Sequence, residues 1–132
     1  MTRYLLDTNM VSYLVKAHPA VSARVVAVPM ASLCISAITE GELLFGLAKR
    51  PSAKHLHHIV GEFLRRVDVL PWDSAAARHY GDLRNEMETI GKPIGPLDLL
   101  IAAHALSTNA VLVTNDNAFR QVKGLALQDW TK

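Results

Sequence analysis

Four acids stand where the chain could do chemistry: Asp7, Glu42, Asp98 and Asp116. "RYLLD" ends in Asp7, and "LVTND" ends in Asp116. Glu42 follows shortly after the apolar "LCIS". Asp98 sits in the first turn of "IGPLDLLIAAHAL", Ile94 to Leu106, which reads as a helix apolar almost all the way round. A helix without a polar face is normally buried, and a buried carboxylate is costly unless it is paired, hydrogen-bonded or bound to a metal. Each acid also has a local reading. An acid at a helix start gains roughly 0.3–1 kcal/mol from the macrodipole. Asp7, Thr8 and Asn9 all suit an N-cap, and Thr39-x-x-Glu42 fits a capping box. Asn115-Asp116-Asn117 is ordinary turn chemistry. Helical periodicity does not separate Glu42 from Glu40, since both have apolar neighbours three and four residues on.

The elements that must position these acids alternate along the chain. "RYLLD" reads as a strand, and "MVSYLVKA" and "AVSARVVAV" as helices broken at His18-Pro19. "LCIS" is a second strand, followed by the helices "AITEGELLFGLAKR" and "SAKHLHHIVGEFLRR". "VDVLP" is a third strand. Asp73 or Ser74 can cap the long helix "AAARHYGDLRNEMETIG", which Gly91 ends. Pro96 suits the first position of the helix carrying Asp98. "AVLVT" is a fourth strand, "NDNAFRQV" a turn with a short helix, and "LALQDW" a last edge strand. Strands alternating with helices imply an α/β fold, with a mainly parallel sheet of four to five strands covered on both faces. Ligands of such sheets gather beyond the carboxyl ends of the strands. Asp7, Glu42 and Asp116 fall at or near that edge, and Asp98 joins them if its helix starts there.

Four acids in one cleft constrain the chemistry. Two carboxylates ~4 Å apart repel by roughly 4 kcal/mol at an effective dielectric near 20. Such a cluster persists by taking up protons or a cation. Hard oxygen ligands suit Mg²⁺, with Mn²⁺ as a substitute, better than zinc. That is chemistry for phosphodiester hydrolysis.

Composition sets the frame. The chain has 132 residues, half of them hydrophobic and a fifth charged, as in a folded globular protein. One domain, residues 1–132, is the simplest organisation. A net charge of +2 permits a nucleic-acid partner without arguing for one. The lone Cys34 excludes an intrachain disulfide and reads as a small core residue. No apolar run approaches the ~20 residues of a membrane helix, and a cytoplasmic location is expected. "HLHH" lacks a companion acid or Cys at ligand spacing and reads as a solvated helix face. His104 reads as a hydrogen-bonded core histidine, and Trp72 and Trp130 as packing anchors. Lys49, Arg50, Arg65, Arg66, Arg78 and Arg84 read as solvated charges that could also meet phosphates.

The chain resembles the PIN-domain ribonucleases, in particular the VapC-type toxins of type II toxin–antitoxin pairs. "LLDTN", "ISAITEGELLFG", "GKPIGPLDLLIAAHAL", "LVTNDNAF" and "LQDW" occur in the family's order across nearly the whole chain. The resemblance implies the PIN-domain fold and makes Asp7, Glu42, Asp98 and Asp116 the catalytic acids, selecting Glu42 over Glu40. Asp7 and Asp98 would ligate Mg²⁺, with Glu42 and Asp116 acting directly or through water. Asn9, Thr114 and Asn115 would support them. It implies an endoribonuclease leaving a 5′-phosphate and a 3′-hydroxyl. The substrate implied at subgroup level is transfer RNA, the initiator at its anticodon stem-loop in particular. The implied partners are a VapB-type antitoxin and a second copy of the chain.

Three other functions compete with this one. An aspartyl-phosphate phosphatase also places an Asp after its first strand, but wants a second acid where this chain has Asn9. A housekeeping PIN nuclease of RNA processing would need no antitoxin. A catalytically silent PIN-like binding module would have lost part of the acid set. The apolar surface of "MVSYLVKA", "AVSARVVAV" and "ELLFGLAKR" exceeds what one small sheet covers, which suits docking of an amphipathic helix or extended segment.

Overall fold

Tyr4-Leu5-Leu6 and Val111-Leu112-Val113 carry no polar position, as expected of strands covered on both sides. In the computed structural model, which describes residues 1–132, they are neighbours at the centre of one sheet. The strands are β1 (Tyr4–Leu6), β2 (Leu33–Ser36), β3 (Asp68–Leu70), β4 (Val111–Val113) and β5 (Leu127–Gln128). Their order is β3-β2-β1-β4-β5, and every pairing is parallel. The chain therefore winds outward from β1 in one direction, then returns beside β1 and winds the other way. The strand order reverses between β1 and β4, which is where an open α/β sheet forms its crevice.

Six helices cover the sheet: α1 (Thr8–Val15), α2 (Pro19–Ala27), α3 (Ala37–Ala48), α4 (Lys54–Arg66), α5 (Ser74–Ile90) and α6 (Pro96–Thr108). Side chains alternate in face along each strand and so divide the core in two. Leu5, Cys34 and Leu112 pack with Leu83 and Met87 of α5 and Leu99, Ile101 and Ala105 of α6. Leu6, Leu33, Ile35 and Val113 pack with Met10 and Val11 of α1, Val21 of α2 and Trp130. The expected layering and strand count are both present.

Helix ends follow local chemistry. Asp73 caps α5, accepting from the Ala76 N–H at 3.1 Å, and Gly91 ends that helix at φ +69°, a conformation costly for a residue with a Cβ. Pro96 occupies the first turn of α6 as its fixed φ favours. Two details depart from the sequence expectation. α1 begins at Thr8, earlier than the apolar "MVSYLVKA" suggested, because the Asp7 carboxylate caps it and draws Thr8 and Asn9 into the first turn. A short 3₁₀ turn, Met30–Ser32, precedes β2; three residues carry too little periodicity to announce it.

Candidate functional site

β1 and β4 run in register, Leu6 opposite Val113, so Asp7 and Thr114 leave the sheet side by side. The Asp7 N–H still donates to the Val113 carbonyl at 3.1 Å, extending the ladder past the strand. Its side chain is buried, and Oδ1 accepts from the Met10 N–H at 2.8 Å. Thr114 is buried next to it and accepts from the Asp116 N–H at 3.0 Å. The Asp116 carboxylate in turn accepts from the Ala118 N–H at 2.9 Å, holding the turn. Asn115 donates to the Tyr13 hydroxyl at 3.0 Å, tying the β4 turn to α1. Asn9 is exposed on the first turn of α1.

Glu42 comes from the opposite side. The capping box does not form: Ser36, not Thr39, caps α3, accepting from the Ile38 N–H at 3.1 Å. That places Glu42 well inside the helix, where the Thr8 hydroxyl donates to Oε1 at 2.7 Å. A hydroxyl has one hydrogen, so Thr8 Oγ1 is left to accept from Thr39 Oγ1, 3.2 Å away. Glu40, which periodicity could not distinguish, stays in the first turn of α3. Glu42 is the acid turned to the site. Thr8 and Thr39 are polar residues that the sequence reading did not assign. Their signal, a Thr directly after the first acid and another three residues before the second, was absorbed by capping patterns.

The electrostatics join all four acids. Burial pushes the Asp7 carboxyl up to about 6; the Thr114 hydroxyl and the Met10 N–H oppose this, and Asp98 and Asp116 add to it. Asp98 is raised by burial first, then by Asp116 and Glu42, with no hydrogen bond offsetting either. It does not cap its own helix. The macrodipole reading thus leaves Asp98 half-buried and repelled, with little local compensation. A hard cation fits this donor set, because it would remove the repulsion and the desolvation penalty together. No three acid, His or Cys side chains converge tightly enough to enclose an ion.

The Asp7 environment has a measurable consequence. Between about pH 4 and 6 the metal-free native state holds a proton that the unfolded chain has released. Stability must fall as pH rises through that window, by on the order of 3 kcal/mol at about 1.4 kcal/mol per pKa unit. Denaturation in EDTA from pH 4.5 to 7.5 should show Asp7→Asn gaining on wild type as pH rises. Parallel curves would mean that Asp7 ionises freely in the fold.

Other expectations find their places. His55 and His58 are exposed, and His57 Nε2 meets the Arg50 carbonyl at 2.9 Å. Cys34 is buried and free. Trp130 is buried 5.3 Å from the Tyr4 ring, and half-buried Trp72 donates to the Leu100 carbonyl at 3.0 Å. Arg65 and Arg66 pair with Glu62, and Arg84 with Glu88, while Lys49 and Arg50 enter no ion pair.

A parallel sheet with four acids gathered at its switch point is the class of site seen here, and a family model described as the PIN domain matches residues 4–125. The chain belongs to the PIN-domain family. Its full-length relatives put it among the VapC ribonucleases. One is the tRNA(fMet)-specific endonuclease VapC of Shigella flexneri, 36% identical over 132 residues, covering 99% of this chain and 100% of the relative. Another is ribonuclease VapC1 of Haemophilus influenzae (strain R2866), 39% identical over 132 residues and 98% of each chain. Among solved structures, DNA-bound VapBC from Salmonella typhimurium superposes with a TM-score of 0.91 at 36% identity, over 98% of this chain and 99% of that one. VapBC2 from Rickettsia felis bound to a promoter DNA fragment gives 0.89 at 33%, with 98% and 99% covered.

Proposed function

We propose that this ribonuclease is the toxin of a toxin–antitoxin pair, and that it hydrolyses transfer RNA at a Mg²⁺ site built from Asp7, Glu42, Asp98 and Asp116. The observation that carries the site is the placement of these acids at the reversal of strand order, with Asp7 and Asp116 just beyond β1 and β4, Glu42 held by Thr8, and burial and neighbouring carboxylates raising Asp7 and Asp98 from their ordinary values. Asp7 and Asp98 are the direct ligands in this reading; Glu42 and Asp116 act directly or through water. When bound, the metal supplies an activated water and neutralises charge on the phosphate. The chain supplies the alignment. Thr114 and the Met10 N–H orient Asp7, Thr8 orients Glu42, and the Asn115–Tyr13 contact fixes the loop that carries Asp116. Water adds to phosphorus and the bond to the 3′ oxygen breaks, leaving a 5′-phosphate and a 3′-hydroxyl.

Initiator transfer RNA is the proposed target, in line with the tRNA(fMet) specificity for which the Shigella flexneri relative is named, and the proposed cut is in the anticodon stem-loop. Sequencing RNA 5′-ends after brief expression, wild type against Asp7→Asn, tests it. Cuts spread over messenger RNA, with transfer RNA intact, would refute the target. The proposed restraint is a VapB-type antitoxin, as in the VapBC neighbours, and a homodimer of the toxin is proposed within that complex. No helix is long and apolar enough to cross a membrane, and we place the protein in the cytoplasm, folded as one domain over residues 1–132.

Metal binding has its own readout. Millimolar Mg²⁺ should raise the melting temperature, because a ligand of the native state stabilises by RT ln(1 + [L]/Kd), about 2.7 kcal/mol at a hundred times Kd. Asp98→Asn should lose most of the shift, and EDTA should reverse it in wild type. No shift with Mg²⁺ or Mn²⁺ up to tens of millimolar would remove the metal from the reading.

A further inference from the structure

α6 carries Asp98 on a helix with almost no polar face, with Leu99, Ile101, Ala102, Ala103 and Ala105 all buried. Burial of such a helix is non-directional. Apolar contact alone does not decide how far α6 is rotated about its axis or slid along it, yet the site needs Asp98 at one place. A directional contact is required, and the buried surface of α6 holds one. His104, 1% exposed, places Nδ1 2.7 Å from Ser36 Oγ, itself fully buried.

The direction of that bond follows from its neighbours. The Pro71 carbonyl, which can only accept, favours the protonated form of the ring, as an acceptor near the second nitrogen would. Burial meanwhile holds the ring neutral, lowering its pKa. Nδ1 is then the bare nitrogen and Ser36 Oγ–H is the donor, while the same oxygen accepts from the Ile38 N–H at 3.1 Å. Ser36 ends β2 and caps α3, and Pro71 directly follows β3. One neutral histidine on α6 thereby holds the carboxyl end of β2 and the first turn of the helix that carries Glu42.

We propose that His104 is a positioning residue for the acid site: its hydrogen bond to Ser36 sets the register of α6 against α3 and so the separation of Asp98 from Glu42. The proposal rests on the reading of those acids as a metal site. It does not make His104 a proton donor or acceptor in the reaction, since the ring is buried and Nδ1 is bonded to Ser36.

The test compares wild type, His104→Leu, His104→Asn, Ser36→Ala and Asp98→Asn. Folding is followed by circular dichroism and Mn²⁺ affinity by calorimetry, with kcat and KM measured on an RNA stem-loop. His104→Leu should stay folded, bind Mn²⁺ at least tenfold more weakly and lose kcat with KM nearly unchanged. His104→Asn, which can present its amide oxygen where Nδ1 was, should recover most of both. Ser36→Ala should match the leucine variant, and a variant carrying both Ser36→Ala and His104→Leu should be no worse than either single. A ¹⁵N spectrum should show His104 as the Nε2–H tautomer. Mn²⁺ affinity and kcat within twofold of wild type in folded His104→Leu would overturn the proposal. Should His104→Leu fail to fold, Ser36→Ala and His104→Asn decide by the same thresholds. If Asp98→Asn binds Mn²⁺ as wild type does, the metal reading fails, and this proposal with it; loss in Asp98→Asn with none in His104→Leu sinks this proposal alone.

Discussion

Asp7→Asn and Asp98→Asn should each abolish RNA cleavage and growth arrest while the fold survives. Several kcal/mol of transition-state stabilisation from one metal, at about 1.4 kcal/mol per decade of rate, put the loss near 10³-fold or beyond. The geometry makes asparagine the informative substitution at Asp7. Oδ1 accepts from the Met10 N–H, and an asparagine oxygen can do the same, so the cap on α1 is kept while the charge goes. Alanine would remove both and cost about 1 kcal/mol of stability in addition. At Asp98 the variant forfeits a macrodipole contribution of roughly 0.3–1 kcal/mol but is relieved of repulsion from Asp116 and Glu42. Melting temperatures should therefore hold or rise without metal. If activity fell only in proportion to the folded fraction, the acids would be helix-end residues and no more.

How much of this site was legible in sequence depends on how local each contact is. Asp7 and Asp116 could be placed because the first directly follows an apolar run and the second comes three residues after one, and the parallel α/β pattern says which strand end matters. Asp98 could be suspected because a carboxylate in an all-apolar helix lacks a local reason to be buried. Glu42 could not be told from Glu40 by pattern alone. What separates them is the packing of α3 against α1, expressed in a hydrogen bond from Thr8, 34 positions away. The capping-box reading failed for a related reason. Ser36 and Thr39 are both competent caps, and the end of β2, set by pairing with β1 and β3, chooses the first. His104 was legible as a bonded core histidine, whereas its partner Ser36, 68 positions distant, was not. Residue type announces that a polar group needs a partner; only the fold supplies its name.

Co-expression with the proposed antitoxin should silence the enzyme, and the structure offers an apolar surface for it to dock on. Apolar surface is exposed at the end of the second N-terminal helix and in the 3₁₀ turn after it: Val26 is 83% exposed and Met30 54%. Beside them a groove of about 320 Å³ runs between Leu14, Val25 and Met30 on one wall and Ile59, Phe63 and Val67 on the other. A second groove of about 280 Å³, floored by Leu43, Leu47, Leu56 and Val60, leads to Thr8 and Glu42. Its rim carries Lys16, Lys49 and Arg50, none of them in an ion pair. An amphipathic antitoxin segment fits such a surface, with its apolar face on the floor and acids toward the rim. Where the groove reaches the acid cluster, a basic side chain of the antitoxin could pair with the carboxylates and compete with the metal. Leu47→Arg and Met30→Asp should therefore weaken the complex. An anchor of this kind is worth roughly 2–4 kcal/mol, or about 30- to 1000-fold in Kd. Neither residue belongs to the acid site, so both variants should cleave RNA like wild type when free and escape inhibition when the antitoxin is present. A complex that forms equally tightly with both variants would move the interface to another face. A complex that cleaves RNA as fast as the free chain would leave a PIN nuclease with no antitoxin control.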